Sequence, residues 1–174
     1  MARIYVGNAP FIQKDFIVTT IFSQQHHAID LAPYGFAGSL YAIDTFTVLY
    51  KGTHSSYGNY AIFSNGSGVM YLYAHMTGLP QKEVGETYNI HEYIAEAGST
   101  GTSTGVHLHL EMQYGTTWNY QAPFSSYIDP TSYLTDILNV VNPNNVYYFD
   151  YTPPTPETHK KHNFPWYIYQ NIEE

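Results

Sequence analysis

The stretch NYAIFSNGSGVMYLYAH, from Asn59 to His75, leaves the chain little freedom of fold. Two runs of apolar, β-branched and aromatic residues flank an interruption of Asn, Gly and Ser. Alternation with a period of two marks a strand, and so short a connection forces the two strands to pair antiparallel. Asn65-Gly66 is expected to supply the positive-φ residues of the turn. Alternation along the second strand puts Tyr71, Tyr73 and His75 on one face and Leu72 and Ala74 on the other.

A lone hairpin is marginal in water, so further strands must complete the sheet. DFIVTTIF (Asp15 to Phe22), TFTVLYKG (Thr45 to Gly52) and VHLHLEMQY (Val106 to Tyr114) have the required composition and are bounded by Gly, Asn, Ser and Pro. NIHEYIAEAG (Asn89 to Gly98) suits either a short helical turn or a strand. A brief helix is expected near DPTSYLTDILNVV (Asp129 to Val141), with Asp129 as N-cap and Pro130 in the first helical position. The fold class expected is all-β, an antiparallel sheet with few short helices. The 174 residues suit one domain with an appendage. After about Asn142 the composition shifts. Thr152 to His162 is Pro- and charge-rich and reads as a linker or arm, and NFPWYIYQNIEE is an aromatic end that docks back on the domain or contacts another subunit.

Composition limits the chemistry. There is no Cys, so any metal must be held by imidazole and carboxylate. Six Lys+Arg against 14 Asp+Glu, a net charge of −8, leave no basic patch for nucleic acid or an anionic membrane surface. With 17% aromatic and only 11% charged residues, the surface suits a polar polymer such as glycan or peptide. The sequence shows no apolar run of signal-peptide or membrane-spanning length. Work outside the cell is therefore expected to need another delivery route, or a signal removed beforehand.

Against that background three clusters stand out. In GSTGTSTGVHLHLEMQ, His107 and His109 share one strand face while Leu108 and Leu110 point to the other, behind a loop made only of Gly, Ser and Thr. In SQQHHAIDLAP, His26, Ala28 and Asp30 share parity, with Ile29 and Leu31 opposite. His27 adjoins His26, and parity with Asp30 favours His26. The third is His75, at the end of a strand. Each alone is compatible with a solvated or hydrogen-bonded surface histidine. Together they offer the two imidazoles, one carboxylate and open position that suit zinc, with further histidines for proton transfer or oxyanion stabilisation. Nucleophilic alternatives are poorly served, since the chain lacks Cys and a Gly-x-Ser-x-Gly elbow.

HHAIDLAP, YGNYAIFSNGSGVMYLYAHM and GSTGTSTGVHLHLEM, in this order, resemble the motifs of the lysostaphin/LytM-type zinc endopeptidases that cut peptidoglycan peptides. LYAIDTFTVLYKG, EVGETYNI and DPTSYL add lesser matches, and the resemblance runs from about Ala9 to Leu134. It implies a LytM-like domain over residues 1–134, with an open groove walled by loops, and a C-terminal extension over 135–174. It implies Zn2+ held by His26, Asp30 and His109, with His107 as the general base acting on water and His75 helping to hold the developing oxyanion. The implied function is hydrolysis of peptide cross-links of bacterial peptidoglycan. The alternative is a non-catalytic cell-wall-binding or activator domain, or a phage tail structural domain, on the same fold. Ala28 stands where the family usually has Gly, and Val106 where it usually has Pro. Tyr57, Asn59, Tyr73 and Thr102 are candidates for the groove wall. The implied setting is extracellular or virion-associated, with a tail or oligomer contact through 152–174 and a phage-borne member among the options.

Overall fold

A computed structural model describes residues 16–132, apart from 34–37 and 91. In chain order the strands are β1 (Phe16–Thr20), β2 (Ala28–Pro33), β3 (Ser39–Tyr41), β4 (Phe46–His54), β5 (Gly58–Ser64), β6 (Val69–Met76), β7 (Thr87–Tyr88), β8 (Tyr93–Glu96) and β9 (Leu108–Tyr114). Seven of them form one antiparallel sheet in the order β1-β2-β9-β6-β5-β4-β7, and β3 pairs with β8 in a second. Single 3-10 turns lie at Phe124–Ser126 and Pro130–Ser132. Among the described residues no helix is long and apolar enough to cross a membrane.

β6 lies between β5 and β9, and all eight of its residues are buried. Burial on both faces is what an unbroken apolar run such as VMYLYA permits. Val69, Tyr71 and Tyr73 enter the main core with Ile29 and Leu31 of β2 and Leu108 and Leu110 of β9. Leu40 of β3 and Ile94 and Ala95 of β8 belong to the same cluster, so the small sheet covers this face. Leu72 and Ala74 turn the other way, joining Tyr60 and Ile62, with Leu49, Tyr57 and Trp118 packed against them. That second face carries the polar residues of the candidate site.

The β5–β6 connection departs from the expected form. Asn65 does not take a positive φ; Gly66 (φ 73°) and Gly68 (φ 86°) do. Asn65 instead uses its side chain, whose Oδ1 accepts from the backbone N–H of Ser67 at 2.9 Å and of Val69 at 3.2 Å. The ambiguous segment at 89–98 contains a strand, β8. Asp129 acts as a cap, its Oδ1 accepting from the Thr131 N–H at 2.9 Å. The rest of the helix expected near Asp129 to Val141, past Ser132, lies outside the described residues, as does the whole extension over 135–174.

A larger departure concerns the end of β6. The pairs Asn59↔Met76 and Ala61↔Tyr73 differ by one residue in register, so Ala74 and His75 together lie opposite Tyr60. This is a bulge, and His75 has φ 62°, the one positive φ among the described non-glycine residues. The extra residue breaks the alternation: Tyr71 and Tyr73 are in the core, while His75 reaches the opposite face.

Phe63 anchors the far part of the core, stacked on Phe46 at 5.0 Å between ring centroids and edge-on to Tyr73 and Tyr88. Phe63→Ala should therefore cost about 3–5 kcal/mol in urea denaturation, while leaving metal affinity of the folded protein unchanged. A cost within about 1 kcal/mol, on the scale of an ordinary surface change, would contradict this packing.

Candidate metal centre and active site

Antiparallel pairing sets Asp30 of β2 directly opposite His109 of β9, and Ala74 of β6 opposite His109 on its other side. Directly opposed residues share a face, so Asp30, His109 and the small Ala74 lie in a row across it, with His109 in the middle. The Asp30 Oδ1 lies 2.8 Å from His109 Nδ1. His26 arrives from the turn before β2, where Ser23 and His26 exchange backbone hydrogen bonds of 2.8 and 3.1 Å. Its Nδ1 lies 3.2 Å from the Ile21 carbonyl oxygen, which can only accept, so that nitrogen carries the proton. Nε2 is then free to face Asp30 Oδ2 at 3.1 Å.

The neighbouring imidazole goes elsewhere. His27 packs against the rings of Tyr127 (4.4 Å) and Phe124 (5.4 Å), with Nε2 at 3.1 Å from the Gln24 carbonyl oxygen. Of the two adjacent histidines, His26 is the one that geometry brings to Asp30.

His26, Asp30 and His109 offer ligand atoms that all lie within 4.8 Å of one another. Two imidazole nitrogens and a carboxylate oxygen, half-buried to buried, fit zinc with a position left for water or substrate. Around this trio stand two more imidazoles. His107 Nδ1 donates to the Gly105 carbonyl at 2.9 Å, leaving Nε2 3.8 Å from Asp30 Oδ1. His75 Nδ1 donates to the Thr100 carbonyl at 2.7 Å. The His75 ring lies 4.7 Å from that of His107 and 5.5 Å from that of His109.

Close backbone contact explains the composition of the Gly/Ser/Thr loop. Gly58 (φ +62°) and Gly101 (φ +74°) lie against each other: a Cβ on Gly58 would sit 2.3 Å from the Thr100 carbonyl carbon, and one on Gly101 would sit 2.3 Å from the Gly58 nitrogen. Only glycine permits both the angle and the approach. Thr100 is then clasped, its Oγ1 accepting from the Asn59 N–H and donating to the Met76 carbonyl, each at 2.9 Å. The clasp holds the Thr100 carbonyl where His75 can donate to it.

The groove-wall candidates divide. Tyr73 is 0% exposed, and its hydroxyl donates to the Tyr41 carbonyl at 3.2 Å. It is a core residue, because the strand's alternation sends it with Tyr71 to the covered face. Asn59 is half-buried and its amide is committed within the fold: Nδ2 donates to the Met76 and Thr77 carbonyls, and Oδ1 accepts from Thr53. Thr102 lies exposed on the loop, with its N–H donating to the Ser56 carbonyl at 2.9 Å. Tyr57 stands beside the cluster, 5.9 Å from His109 between rings. Its hydroxyl donates to Glu111 Oε1 at 2.8 Å, and His109 Nε2 lies 3.0 Å from the same oxygen. Glu111 is the residue that motif reading passes over. Its signal was in HLHLE, since residues 107, 109 and 111 share parity.

The charges are mutually dependent. Burial works to raise the Asp30 carboxyl, but the hydrogen bonds and charges of His109 and His26 outweigh it and hold Asp30 well below the usual carboxylate range. Burial works to lower His109, yet Asp30 and Glu111, one at each ring nitrogen, raise it to about 9. His75 is pushed down, chiefly by burial.

In metal-free protein, His109 therefore gives stability that is complete below its unfolded value of 6.5 and is lost as pH rises through about 9. Urea denaturation in the presence of chelator should show stability falling across that window, and His109→Asn should flatten the profile. An equal slope in both proteins would refute the coupling.

A donor trio that could hold a metal thus lies on one face of an antiparallel sheet, flanked by two imidazoles. The pattern of peptidase family M23 matches residues 24–123, more than half of the chain, and the chain belongs to that family. It is 41% identical over 64 residues to the DD-carboxypeptidase/endopeptidase Mpg of Neisseria meningitidis serogroup B, a stretch that is 37% of this chain and 14% of Mpg. The match thus spans only a small part of that relative. In fold, the chain is similar to the catalytic domain of lysostaphin from Staphylococcus simulans (TM-score 0.54, 23% identity, 63% of this chain and 78% of that one). It is also similar to a zinc containing peptidase from Vibrio cholerae (TM-score 0.58, 22% identity, 74% of this chain and 39% of that one).

Proposed function

We propose that this chain is a zinc-dependent endopeptidase that hydrolyses peptide cross-links of bacterial peptidoglycan. The observation that carries the reading is the division among the clustered side chains. His26, Asp30 and His109 converge their donor atoms within 4.8 Å, while His107 and His75 each have Nδ1 tied to a backbone carbonyl. A non-catalytic wall-binding domain has no need of that second pair. The substrate class is suggested by membership of the family and by the lysostaphin and Mpg names among its relatives. The composition, with 17% aromatic and only 11% charged residues, suits such a polymer. The wall lies outside the cytoplasm, which makes the site of action extracellular or virion-associated.

His26, Asp30 and His109 would hold zinc, which would supply a Lewis acid for the scissile carbonyl and for water. The chain's own groups move the protons. Because the Gly105 carbonyl keeps the proton on His107 Nδ1, Nε2 carries the lone pair that can accept a proton from the attacking water. The same nitrogen can then return it to the departing amine. His75 has its Nδ1–H committed to Thr100, so its Nε2 donates only when the ring is cationic. Burial disfavours that form in the resting protein, and negative charge growing on the substrate oxygen favours it. The exposed loop around Thr102 and the ring of Tyr57 border the place where the peptide would lie.

His107→Ala should retain one zinc per chain and lose about 10²–10⁴-fold in hydrolysis of cross-linked wall peptides. Asp30→Ala should lose the metal together with the activity. Full activity in His107→Ala, or loss of its zinc, would overturn the assignment of His107 to proton transfer.

A further inference from the structure

Glu111 and Tyr57 take no part in the chemistry just described, yet they are built into the back of the site. Glu111 is only 4% exposed and lies opposite Ala28 on one side and Leu72 on the other. An ionised carboxylate placed among such neighbours is costly unless a specific partner uses it. One oxygen has partners: Oε1 receives the Tyr57 hydroxyl at 2.8 Å and faces His109 Nε2 at 3.0 Å. The other, Oε2, is buried without one.

The two ring nitrogens of His109 therefore have different neighbours. Nδ1 faces the cluster, 2.8 Å from Asp30 Oδ1, and Nε2 faces Glu111. A neutral imidazole carries a single N–H. If it sat on Nδ1, the ring would have no lone pair to offer a metal on the Asp30 side. Asp30 and Glu111 each draw a proton to the ring nitrogen they face; with Asp30 turned to a metal, Glu111 alone holds the remaining N–H, on Nε2. We propose that Glu111, braced by the Tyr57 hydroxyl, is a positioning residue that fixes the His109 proton on Nε2 and so aims the Nδ1 lone pair at the metal. This inference rests on reading His26, Asp30 and His109 as the metal ligands.

His26 supplies an internal comparison. Its Nδ1 is tied to the Ile21 carbonyl and its Nε2 faces Asp30, so the two imidazoles would ligate through opposite nitrogens. Each has its other nitrogen held by an acceptor, one a backbone carbonyl and one a carboxylate. The carboxylate is the stronger acceptor and makes the ring the better donor. Tyr57 limits the swing of that carboxylate by binding the same oxygen, and its ring lies 5.9 Å from the His109 ring.

The test is zinc affinity, measured by competition with a chelating dye on the full chain, for wild type, Glu111→Leu, Glu111→Gln and Tyr57→Phe. The expected result is one tight site in wild type and a loss of about 10–100-fold in Glu111→Leu. Glu111→Gln should restore most of the affinity, since its amide oxygen accepts the same hydrogen bond, and Tyr57→Phe should show a smaller loss. Equal affinity in wild type and Glu111→Leu would overturn the inference and leave the metal centre standing, as would a Gln variant as weak as the Leu variant. No zinc bound by wild type would overturn the metal centre itself. A second readout needs no variant: ¹⁵N spectra of histidine-labelled, zinc-loaded protein should show His109 metal-bound at Nδ1 and protonated at Nε2. The reverse arrangement would sink the proposal even if Glu111→Leu failed to fold.

Discussion

Asp30 stands opposite His109 because β2 and β9 pair in one particular register, and the rest of the site is arranged around that pair. Side chains in a strand alternate, so a slip of one residue would turn Asp30 or His109 into the core and bring a leucine or isoleucine out in its place. The hydrophobic pattern guards against the slip. Ile29 and Leu31 of β2, and Leu108 and Leu110 of β9, are each almost wholly buried on the far side, and a slip would expose the pair of whichever strand moved. Core packing and site geometry are thus one constraint seen from two faces of the same sheet.

The site's second half depends on a local breach of that regularity. The bulge at the end of β6 shifts the register by one residue and places His75 in a left-handed conformation beside His107 and His109. Such a backbone is disfavoured for any residue with a Cβ, and persists only where its surroundings over-determine it. Here they do: the His75 N–H donates to the Tyr57 carbonyl at 2.8 Å, and its ring donates to Thr100, itself clasped through the contact between Gly58 and Gly101. Within the loop of glycine, serine and threonine, Gly98, Thr100 and Gly101 lie hard against neighbouring backbone, and glycine there reflects how closely two backbones approach.

Much of this was legible in the sequence where period and spacing speak directly. The antiparallel sheet, the pairing of His107 with His109 on one face, the shared parity of His26 and Asp30, and the opposed leucines are all consequences of alternation. Alternation holds through Tyr71 and Tyr73, which are both core, and fails at His75, because the bulge that carries it to the opposite face leaves no mark in a strand pattern. The Asn65-Gly66 turn falls where the composition places it but takes another form, since an Asn side chain can satisfy the turn without adopting positive φ. Asn59 looked available for a ligand and is committed to three partners that are 6, 17 and 18 residues away in sequence. The part Glu111 plays is not legible in the sequence because it depends on Tyr57, which lies 54 residues away and on another strand connection.

The proposed metal centre draws three side chains from β2, the turn before it and β9, with His109 offering Nδ1. Anomalous diffraction at the zinc edge from zinc-loaded crystals tests this most directly. The expected result is one peak about 2.0–2.2 Å from His26 Nε2, an Asp30 carboxylate oxygen and His109 Nδ1, with His109 Nε2 still on Glu111. Zinc bound elsewhere, or held by His27 or by His109 Nε2, would contradict it.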